Sequence, residues 1–299
     1  MHENDLHLTP EVAETMIRRQ FPRWNDHRVQ WLDSAGTDNV IVRIGENFAA
    51  RFRRQAADPD HLAEDLRSEA GALDELSSAV SVPVPTIVAI GEPGPEYPLP
   101  WSVQTWIPGE PATPTSVAGS PRFCEDLVTL ISQLRQTDTL GRQFSGTGRG
   151  GELTVHDQWM ETCFQQSQAL LDVPALRKLW EHFRELPRED AETMAHKDLI
   201  PGNLLIRGKH LVGLLDGGSF GPADPALDLA SAWHLLESPR RVHLRHSLGC
   251  SDLQWHRGAA WAFQQAMGLV WYYNNTNPVM RDLGRSTLHR IQSDLEVSQ

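Results

Sequence analysis

The sequence is short of cysteine and of long apolar runs. Its 299 residues contain 3 cysteines, an odd number and widely scattered, so no disulfide framework is expected. It contains no stretch of about 18 apolar residues, the length that would predict a membrane-spanning helix. The first residues also lack the basic start and apolar stretch of a signal peptide. These absences predict a protein of the reducing cytoplasm without a membrane partner.

Basic side chains are also in deficit. The chain carries 39 acidic and 27 basic residues, a formal charge of −12. Such a surface repels the phosphates of nucleic acids, so no nucleic-acid partner is expected. A cationic ligand would be attracted, although the same acidity also serves solubility. The sequence leaves open whether the protein is a monomer or a dimer.

The chain divides into two predicted domains, since a domain usually has about 100–200 residues. Residues 1–107 contain strand-forming segments in a meander, a charged helical segment, and two further strands. The run Pro108-Gly109-Glu110-Pro111 predicts the linker. Residues 108–299 have mainly helical spacing. The fold class is therefore α+β, with an antiparallel five-stranded sheet and a helix followed by a mostly α-helical domain.

The expected elements follow from apolar spacing and turn residues. Strands are expected near 29–32, 40–44, 48–52, 86–90, 101–107, 203–206 and 211–215. Helices are expected from Thr9 to before Pro22 and over 58–78, 121–137, 156–171, 175–185, 225–236, 252–274 and 279–295.

The strongest chemical signal is the segment HKDLIPGN, residues 196–203. A histidine, an aspartate two positions later and an asparagine five positions after that have the spacing of a kinase catalytic loop. Phosphoryl transfer needs a carboxylate near the attacking hydroxyl and a neutral oxygen ligand for Mg²⁺. Asp198 is the candidate base, and Asn203 is the candidate metal ligand.

A second carboxylate follows at the end of a strand. Asp216 and Gly217 come directly after the apolar segment LVGLL, where kinases place the aspartate that holds Mg²⁺ against the β- and γ-phosphates. Glycines beside the carboxylate leave room for a metal shared with a triphosphate. A plain Asp-Gly turn would explain Asp216 alone, but the preceding loop favours a second metal ligand.

Together these segments resemble the aminoglycoside phosphotransferase family, a bacterial relative of the protein kinases. HKDLIPGNLL and GLLDGGSFGPADPALDLASAW match the family's catalytic loop, metal aspartate and following helix. DNVIVRIGENFAARFRR, SEAGAL and PLPWSVQTWIPGE resemble its nucleotide-binding strands, glutamate helix and hinge. The resemblance implies a bilobal protein-kinase-like fold with the nucleotide between the lobes. It implies transfer of the γ-phosphoryl group of ATP or GTP, bound with Mg²⁺, to a hydroxyl of a small molecule.

The resemblance also implies roles in the first domain. Arg51 stands where a strand lysine would contact the phosphates, with Arg53 as the alternative, and Glu69 where a helix glutamate would hold that side chain. The segment with one glycine before Thr37 corresponds to the phosphate loop. The hinge residues expected to face the purine base are Gln104, Trp106 and Ile107.

Two further residues are expected to support the catalytic loop. His196 matches a histidine that packs and hydrogen-bonds in the family. Asp228 matches an aspartate that buttresses the loop, although an acid favoured by a helix dipole explains it as well. Asp224 and Pro225 predict a helix cap with proline at the first helical position.

Two other motifs are present in the sequence. GTGRGG, residues 146–151, satisfies GxGxxG but follows a helix, so it predicts a flexible connector rather than a nucleotide site. GGSFG, centred on Ser219, matches the GxSxG of serine hydrolases, but the prolines that follow postpone any helix. A catalytically silent nucleotide-binding protein is a third reading, motivated by Arg51 and by the missing phenylalanine after Asp216.

The acceptor is not fixed by the sequence. Acidic residues suit a polycationic aminoglycoside, whereas the ten tryptophans would equally suit an apolar antibiotic or a sugar face. Most tryptophans at helical spacing are expected to pack internally. An aminoglycoside or another antibiotic, and hence a role in antibiotic resistance, is the working expectation.

Overall fold

The computed structural model describes residues 6, 8–32, 39–146 and 148–294. The chain forms two compact units, residues 1–78 with 83–108 and residues 79–82 with 109–299. We call them the first unit and the second unit. Among the described residues, no helix combines the length and apolar character needed to cross a membrane.

The first unit is built on an antiparallel sheet with the strand order β1-β2-β3-β5-β4. Its elements are α1 (Pro10–Gln20), β1 (Val29–Leu32), β2 (Asn39–Ile44), β3 (Phe48–Arg53), α2 (Pro59–Ala79), β4 (Ile87–Gly91) and β5 (Trp101–Thr105). The predicted five-stranded antiparallel sheet with a helix is confirmed. The hydroxyl of Thr9 caps α1 by accepting from the Val12 N–H at 3.3 Å, as the Thr9-Pro10 start predicts.

Alternation along the strands creates the core of the first unit. On β2 the side chains of Val40, Val42 and Ile44 are buried, while the residues between them are partly exposed. Phe52 of β3 stacks on Trp101 of β5, with ring centroids 4.6 Å apart. The sheet therefore holds β3, which carries Arg51, between β2 and β5.

The second unit is mostly helical, as predicted. Its helices are α3 (Pro114–Val117), α4 (Pro121–Gln136), α5 (Asp157–Gln166), α6 (Val173–Phe183), α7 (Ala230–Leu235), α8 (Ser238–Ser247), α9 (Asp252–Tyr272) and α10 (Pro278–Gln292). Its short strands are β6 (Glu110–Pro111), β7 (Thr193–Ala195), β8 (Leu204–Arg207), β9 (His210–Leu214) and β10 (Gly221–Ala223).

Some boundaries differ from the sequence prediction. The helix expected over 156–171 ends at Gln166. The helix expected over 225–236 begins only at Ala230, after a 3₁₀ turn over Leu227–Leu229. Helix α8 lacks the apolar spacing on which the expected helices rest, since it buries only Arg241 and Leu244.

Two small sheets position the segments with the chemical motifs. Strand β8 pairs with β9 in a hairpin, whose turn contains Gly208 at a φ of 64°, a conformation that glycine adopts without a steric cost. Strand β7 pairs with β10 in antiparallel register. His196 directly follows β7, Asn203 directly precedes β8, and Asp216 comes two residues after the end of β9. The β8–β9 pairing therefore brings Asn203 and Asp216 to the same end of this hairpin.

Candidate active site

The loop between β7 and β8 is held together around Asp198. The amide nitrogen of Asn203 donates both to the Asp198 carbonyl, at 2.9 Å, and to Asp198 Oδ2, at 3.1 Å. The N–H of Ile200 donates to the same carbonyl at 2.8 Å. Pro201 opens a 3₁₀ turn that ends at Asn203 and brings the amide back to the aspartate. The candidate base and the first candidate metal ligand are therefore in direct contact.

His196 is buried and joins this loop to the strand that precedes Asp216. The N–H of Asp198 donates to His196 Nδ1 at 3.3 Å. Nε2 consequently carries the proton and donates to the Leu215 carbonyl at 2.9 Å. With its side chain fully buried, the ring can act as a support and not as a group that meets a substrate.

Asp228 supports the loop from the other side. Its Oδ2 accepts from the His196 N–H at 2.8 Å and its Oδ1 from the Lys197 N–H at 3.0 Å. Lys197 has a φ of 73°, a left-handed conformation that costs a non-glycine residue about 1–2 kcal/mol. Burial raises the pKa of the Asp228 carboxyl, and the two peptide N–H groups act in the opposite direction. Asp228 thus stabilises an otherwise unfavourable turn immediately before Asp198.

Asp216 lies beside Asn203 along the hairpin. Leu204 and Leu214 are paired in register, and the Leu215 N–H donates to the Asn203 carbonyl at 2.8 Å. Asp216 follows in the left-handed conformation with a φ of 60°, which aspartate tolerates better than most residues. The two candidate metal ligands therefore flank one end of the β8–β9 hairpin.

The donor set suits Mg²⁺. The nitrogen of the Asn203 amide is used by Asp198, which leaves its Oδ1 as a neutral oxygen donor, and Asp216 adds a carboxylate. Mg²⁺ prefers oxygen ligands and is commonly held by one or two protein groups together with substrate phosphates. Within the described part of the chain, no group of three or more His, Cys, Asp or Glu side chains is arranged to hold a metal ion.

Ser219 is placed differently from a hydrolase nucleophile. Its hydroxyl donates to the His196 carbonyl at 3.1 Å. It ends a 3₁₀ turn and is followed by β10, whereas a nucleophile elbow leads directly into a helix. This geometry gives Ser219 a part in holding the loop and removes the support for a serine hydrolase.

Arg149 is the site residue that sequence reasoning missed. Its Nη2 lies 2.6 Å from Asp198 Oδ1, although the two residues are 49 positions apart. It comes from the GTGRGG segment, which was predicted to be only a flexible connector. Thr147 of this segment lies outside the described residues. A single arginine among glycines gave no signal, because only the tertiary fold brings it to the loop.

Asp224 corrects a second expectation. Its Oδ1 accepts from the Ala226 N–H at 2.9 Å, the contact expected of a cap, but a 3₁₀ turn over Leu227–Leu229 follows and α7 begins only at Ala230. Its Oδ2 lies 2.6 Å from Arg257 Nη2 and accepts from Trp261 Nε1 at 2.9 Å, and both members of the Asp224–Arg257 pair are buried. The carboxylate therefore links the segment after β10 to helix α9.

In the first unit, the Arg51 guanidinium forms an ion pair with the Glu69 carboxylate. Arg53 is exposed, and the Tyr97 hydroxyl donates to its carbonyl at 2.9 Å. The structure thus brings together the arginine and the glutamate named from the sequence. Thr37 lies outside the described residues.

The predicted hinge continues from β5. Gln104 is in β5, opposite Ala49 of β3. The Trp106 N–H donates to the Asn47 carbonyl at 2.7 Å, and its ring lies 4.8 Å from the Arg43 guanidinium carbon. Ile107 follows directly, and across the described residues its N–H has no acceptor.

A five-stranded antiparallel unit with a glutamate-paired arginine, and a helical unit with a His-x-Asp loop and a strand-end aspartate, define the protein-kinase-like class of phosphotransferases. The model of the phosphotransferase enzyme family matches residues 20–261, and the chain belongs to this family. No curated protein matches the sequence significantly.

Solved structures share the fold at low sequence identity. The chain is similar to the GDP complex of wild-type aminoglycoside 2'-phosphotransferase-IIIa, with a TM-score of 0.71 and 17% identity over 94% of this chain and 98% of that one. It is similar to the apoenzyme of macrolide 2'-phosphotransferase MphH from Brachybacterium faecium, with a TM-score of 0.61 and 18% identity over 93% and 98%. An ADP-bound aminoglycoside phosphotransferase APH(2'')-Ib has a TM-score of 0.60 and 14% identity over 95% and 99%.

Proposed function

We propose that this protein transfers the γ-phosphoryl group of ATP or GTP to a hydroxyl group of a small molecule, with Asp198 as the catalytic base. The observation that carries the proposal is the contact of Asn203 with Asp198, together with the pairing that sets Asp216 beside Asn203. Base and metal ligands are then parts of one hydrogen-bonded unit, and phosphoryl transfer depends mainly on such positioning.

In the proposed reaction, Asp198 accepts the proton of the acceptor hydroxyl as its oxygen forms a bond to the γ-phosphorus. The bond from phosphorus to the β–γ bridging oxygen breaks, and the nucleoside diphosphate leaves. Asn203 Oδ1 and Asp216 would hold Mg²⁺, which neutralises charge on the phosphates when bound. His196 and Asp228 keep the loop in place without meeting the substrate.

The first unit is proposed to bind the nucleotide. Arg51, oriented by Glu69, would donate to its phosphates, because a guanidinium fork pairs well with phosphate oxygens. The N–H of Ile107 is a candidate donor to the base, since the N–H of Trp106 is already used by Asn47. Nucleoside diphosphates in related solved structures support a nucleotide donor, with ATP and GTP both open.

The acceptor is proposed to be an antibiotic of the aminoglycoside or macrolide type. The support is the net charge of −12, which favours cationic ligands, and the similarity to solved aminoglycoside and macrolide phosphotransferases, one of them in complex with kanamycin. Trp233, Trp255 and Trp261 are buried, so these rings pack inside the second unit and are not available as an acceptor face. A cytoplasmic location and a role in resistance stay predictions.

The proposal is tested by incubating the protein with Mg-ATP or Mg-GTP and kanamycin, gentamicin, streptomycin or erythromycin. Nucleotide consumption and phosphorylated product are measured by chromatography and mass spectrometry. We expect Asp198→Asn to lower kcat by about 10²–10⁴-fold, the usual contribution of a general base. Calorimetric titration should show Mg-nucleotide binding nearly intact in Asp198→Asn and weakened in Asp216→Ala.

Two outcomes would contradict the proposal. Near-normal turnover by Asp198→Asn with an acceptor would exclude Asp198 as the base. Tight Mg-nucleotide binding without any consumption, for every acceptor and for water, would instead support a catalytically silent nucleotide-binding protein.

A further inference from the structure

Both carboxylate oxygens of Asp198 accept a hydrogen bond. Arg149 Nη2 lies 2.6 Å from Oδ1, and Asn203 Nδ2 donates to Oδ2 at 3.1 Å. The Arg149 and Asp198 side chains are 32% and 27% exposed, so the ion pair is partly shielded yet open to a substrate. Two donors on separate oxygens define the plane of the carboxylate. A carboxylate offers about four lone-pair sites, so positions for an acceptor hydroxyl remain.

The chain next to Arg149 is fixed in place. The Gly150 carbonyl accepts from the Asp224 N–H at 2.8 Å, and the Gly151 carbonyl accepts from Arg257 Nη2 at 3.1 Å. Gly150 has a φ of 119°, and a Cβ there would lie only 2.7 Å from the Ala223 Cβ. The backbone after Arg149 therefore packs directly against β10, anchored by the buried Asp224–Arg257 pair.

Arg149 supplies a positive charge that the four residues between Asp198 and Asn203 lack. Leu199, Ile200, Pro201 and Gly202 separate Asp198 from Asn203 and carry no charge. The Lys197 ammonium lies 5.6 Å from the centre of the Phe144 ring, and burial lowers its pKa. Throughout the described residues, Arg149 is the cation that makes an ion pair with Asp198.

The need for this charge follows from the proposed reaction. Phosphoryl transfer brings an anionic phosphoryl group close to the acceptor oxygen and hence to the carboxylate of the base. Two like charges a few ångströms apart repel strongly where water is scarce. The Arg149 guanidinium, bound to Asp198 Oδ1, reduces that repulsion. It does so without occupying the candidate metal ligands Asn203 and Asp216.

We propose that Arg149 is a positioning residue of the phosphoryl-transfer site, which rests on the proposed function. Its guanidinium holds Asp198 Oδ1, orients the carboxylate towards the acceptor hydroxyl and balances its charge against the phosphoryl group. It acts through Asp198, and Gly150 and Gly151 hold the adjoining main chain in place.

The test compares Arg149→Ala, Arg149→Lys and the control Arg177→Ala. Arg177 forms a 2.5 Å ion pair with Glu161 in the same unit, and this pair is more exposed than the Arg149–Asp198 pair. Turnover of Mg-ATP and Mg-GTP is measured with kanamycin and with water as acceptors. We expect Arg149→Ala to lower kcat by about 10–100-fold, the usual effect of losing a charge-assisted hydrogen bond, with the nucleotide KM within about 2-fold.

Four further readouts separate positioning from a structural role. Arg149→Lys should recover part of kcat, and low concentrations of guanidinium should partly rescue Arg149→Ala. In a double-mutant cycle, Arg149→Ala should add little to the loss caused by Asp198→Asn, because residues that act as a unit are not additive. A crystal structure of Arg149→Ala, with an unchanged melting temperature, should show the Asp198 carboxylate rotated away from its present plane.

The outcomes are distinct. An unchanged kcat in Arg149→Ala would overturn the role of Arg149 and leave the proposed function intact. The same holds if the fold-loss of kcat in the double variant equals the product of the fold-losses in Arg149→Ala and Asp198→Asn. A carboxylate that keeps its orientation in the variant crystal would do the same. Normal turnover by Asp198→Asn alone would overturn the proposed function itself.

Discussion

The two units use an arginine–carboxylate pair in opposite ways. Arg257 and Asp224 of the second unit are each 2% exposed, and Arg257 also donates to the carbonyls of Leu186 and Gly151. Arg51 and Glu69 of the first unit are 16% and 17% exposed. The Arg257–Asp224 pair joins three segments of main chain, whereas the Arg51–Glu69 pair is partly exposed to solvent.

Solvent access separates the two roles. Burying an ion pair costs hydration free energy that the attraction between the two charges barely offsets. The pair therefore contributes mainly by fixing the segments that it joins. A partly exposed arginine keeps its hydration and can exchange contacts with a carboxylate for contacts with a phosphate. The same residue types therefore fix the backbone in one unit and are suited to binding a ligand in the other.

The largest effect is expected from the buried pair. Asp224→Asn keeps the shape but leaves Arg257 as an uncompensated buried charge, which usually lowers the free energy of unfolding by about 3–5 kcal/mol. Chemical denaturation measures this loss. Glu161→Gln is the control, because its pair with Arg177 is exposed and such pairs contribute about 0–1 kcal/mol. Equal losses in both variants would refute the distinction between buried and exposed pairs.

The second unit should also respond to acid through His234. This ring is buried, with Nδ1 2.9 Å from Thr287 Oγ1 and Nε2 2.7 Å from Gln265 Oε1. Burial lowers its pKa from 6.5 to about 4, an effect that the hydrogen bond to Gln265 partly opposes. Between these values the unfolded chain binds a proton that the folded chain does not. The free energy of unfolding therefore rises with pH through this window and falls as pH drops, by about 3 kcal/mol at most.

The measurement is the free energy of unfolding of the wild type and of His234→Gln between pH 7 and pH 4. The difference between them isolates His234, because contributions of Asp228 and His156 are common to both. The exposed His289 of α10 provides the control His289→Gln, which makes the same substitution at the surface. If His234→Gln fails to fold, NMR titration of the wild-type ring serves instead, and an ordinary pKa would contradict the expectation.

The sequence was most informative where local spacing determines geometry. Asp198 and Asn203 lie in one short loop, and Asp216 follows a hairpin whose pairing is set by alternation and by Gly208. Strand alternation likewise predicted the antiparallel sheet of the first unit. These features depend on neighbours along the chain, which a single sequence displays.

It was least informative where contacts join distant segments. Arg149 reaches Asp198 only because Gly150 and Gly151 pack on β10 and on Arg257. Asp224 looked like a helix cap, since its sequence neighbours are those of a cap and its partner Arg257 is remote. The spacing of neighbouring residues predicts neither the direction of a loop nor the burial of a carboxylate.

The smallest effect is expected where the first unit offers two arginines for one role. Arg51 and Arg53 share a face of β3 by strand alternation, but Arg51 pairs with Glu69 while Arg53 is exposed. Losing a guanidinium–phosphate contact weakens binding by about 10–100-fold, so Arg51→Ala should raise the Kd of Mg-ATP or Mg-GTP by that factor. Glu69→Gln should raise it less, because the arginine stays but loses its orienting partner. Arg53→Ala should change the Kd by no more than about 2-fold, since its side chain is exposed and alanine retains the main-chain carbonyl that accepts from the Tyr97 hydroxyl. Calorimetric titration of the three variants decides between the arginines. If Arg53→Ala raised the nucleotide Kd more than Arg51→Ala does, Arg53 would make the phosphate contact and the Arg51–Glu69 pair would be purely structural.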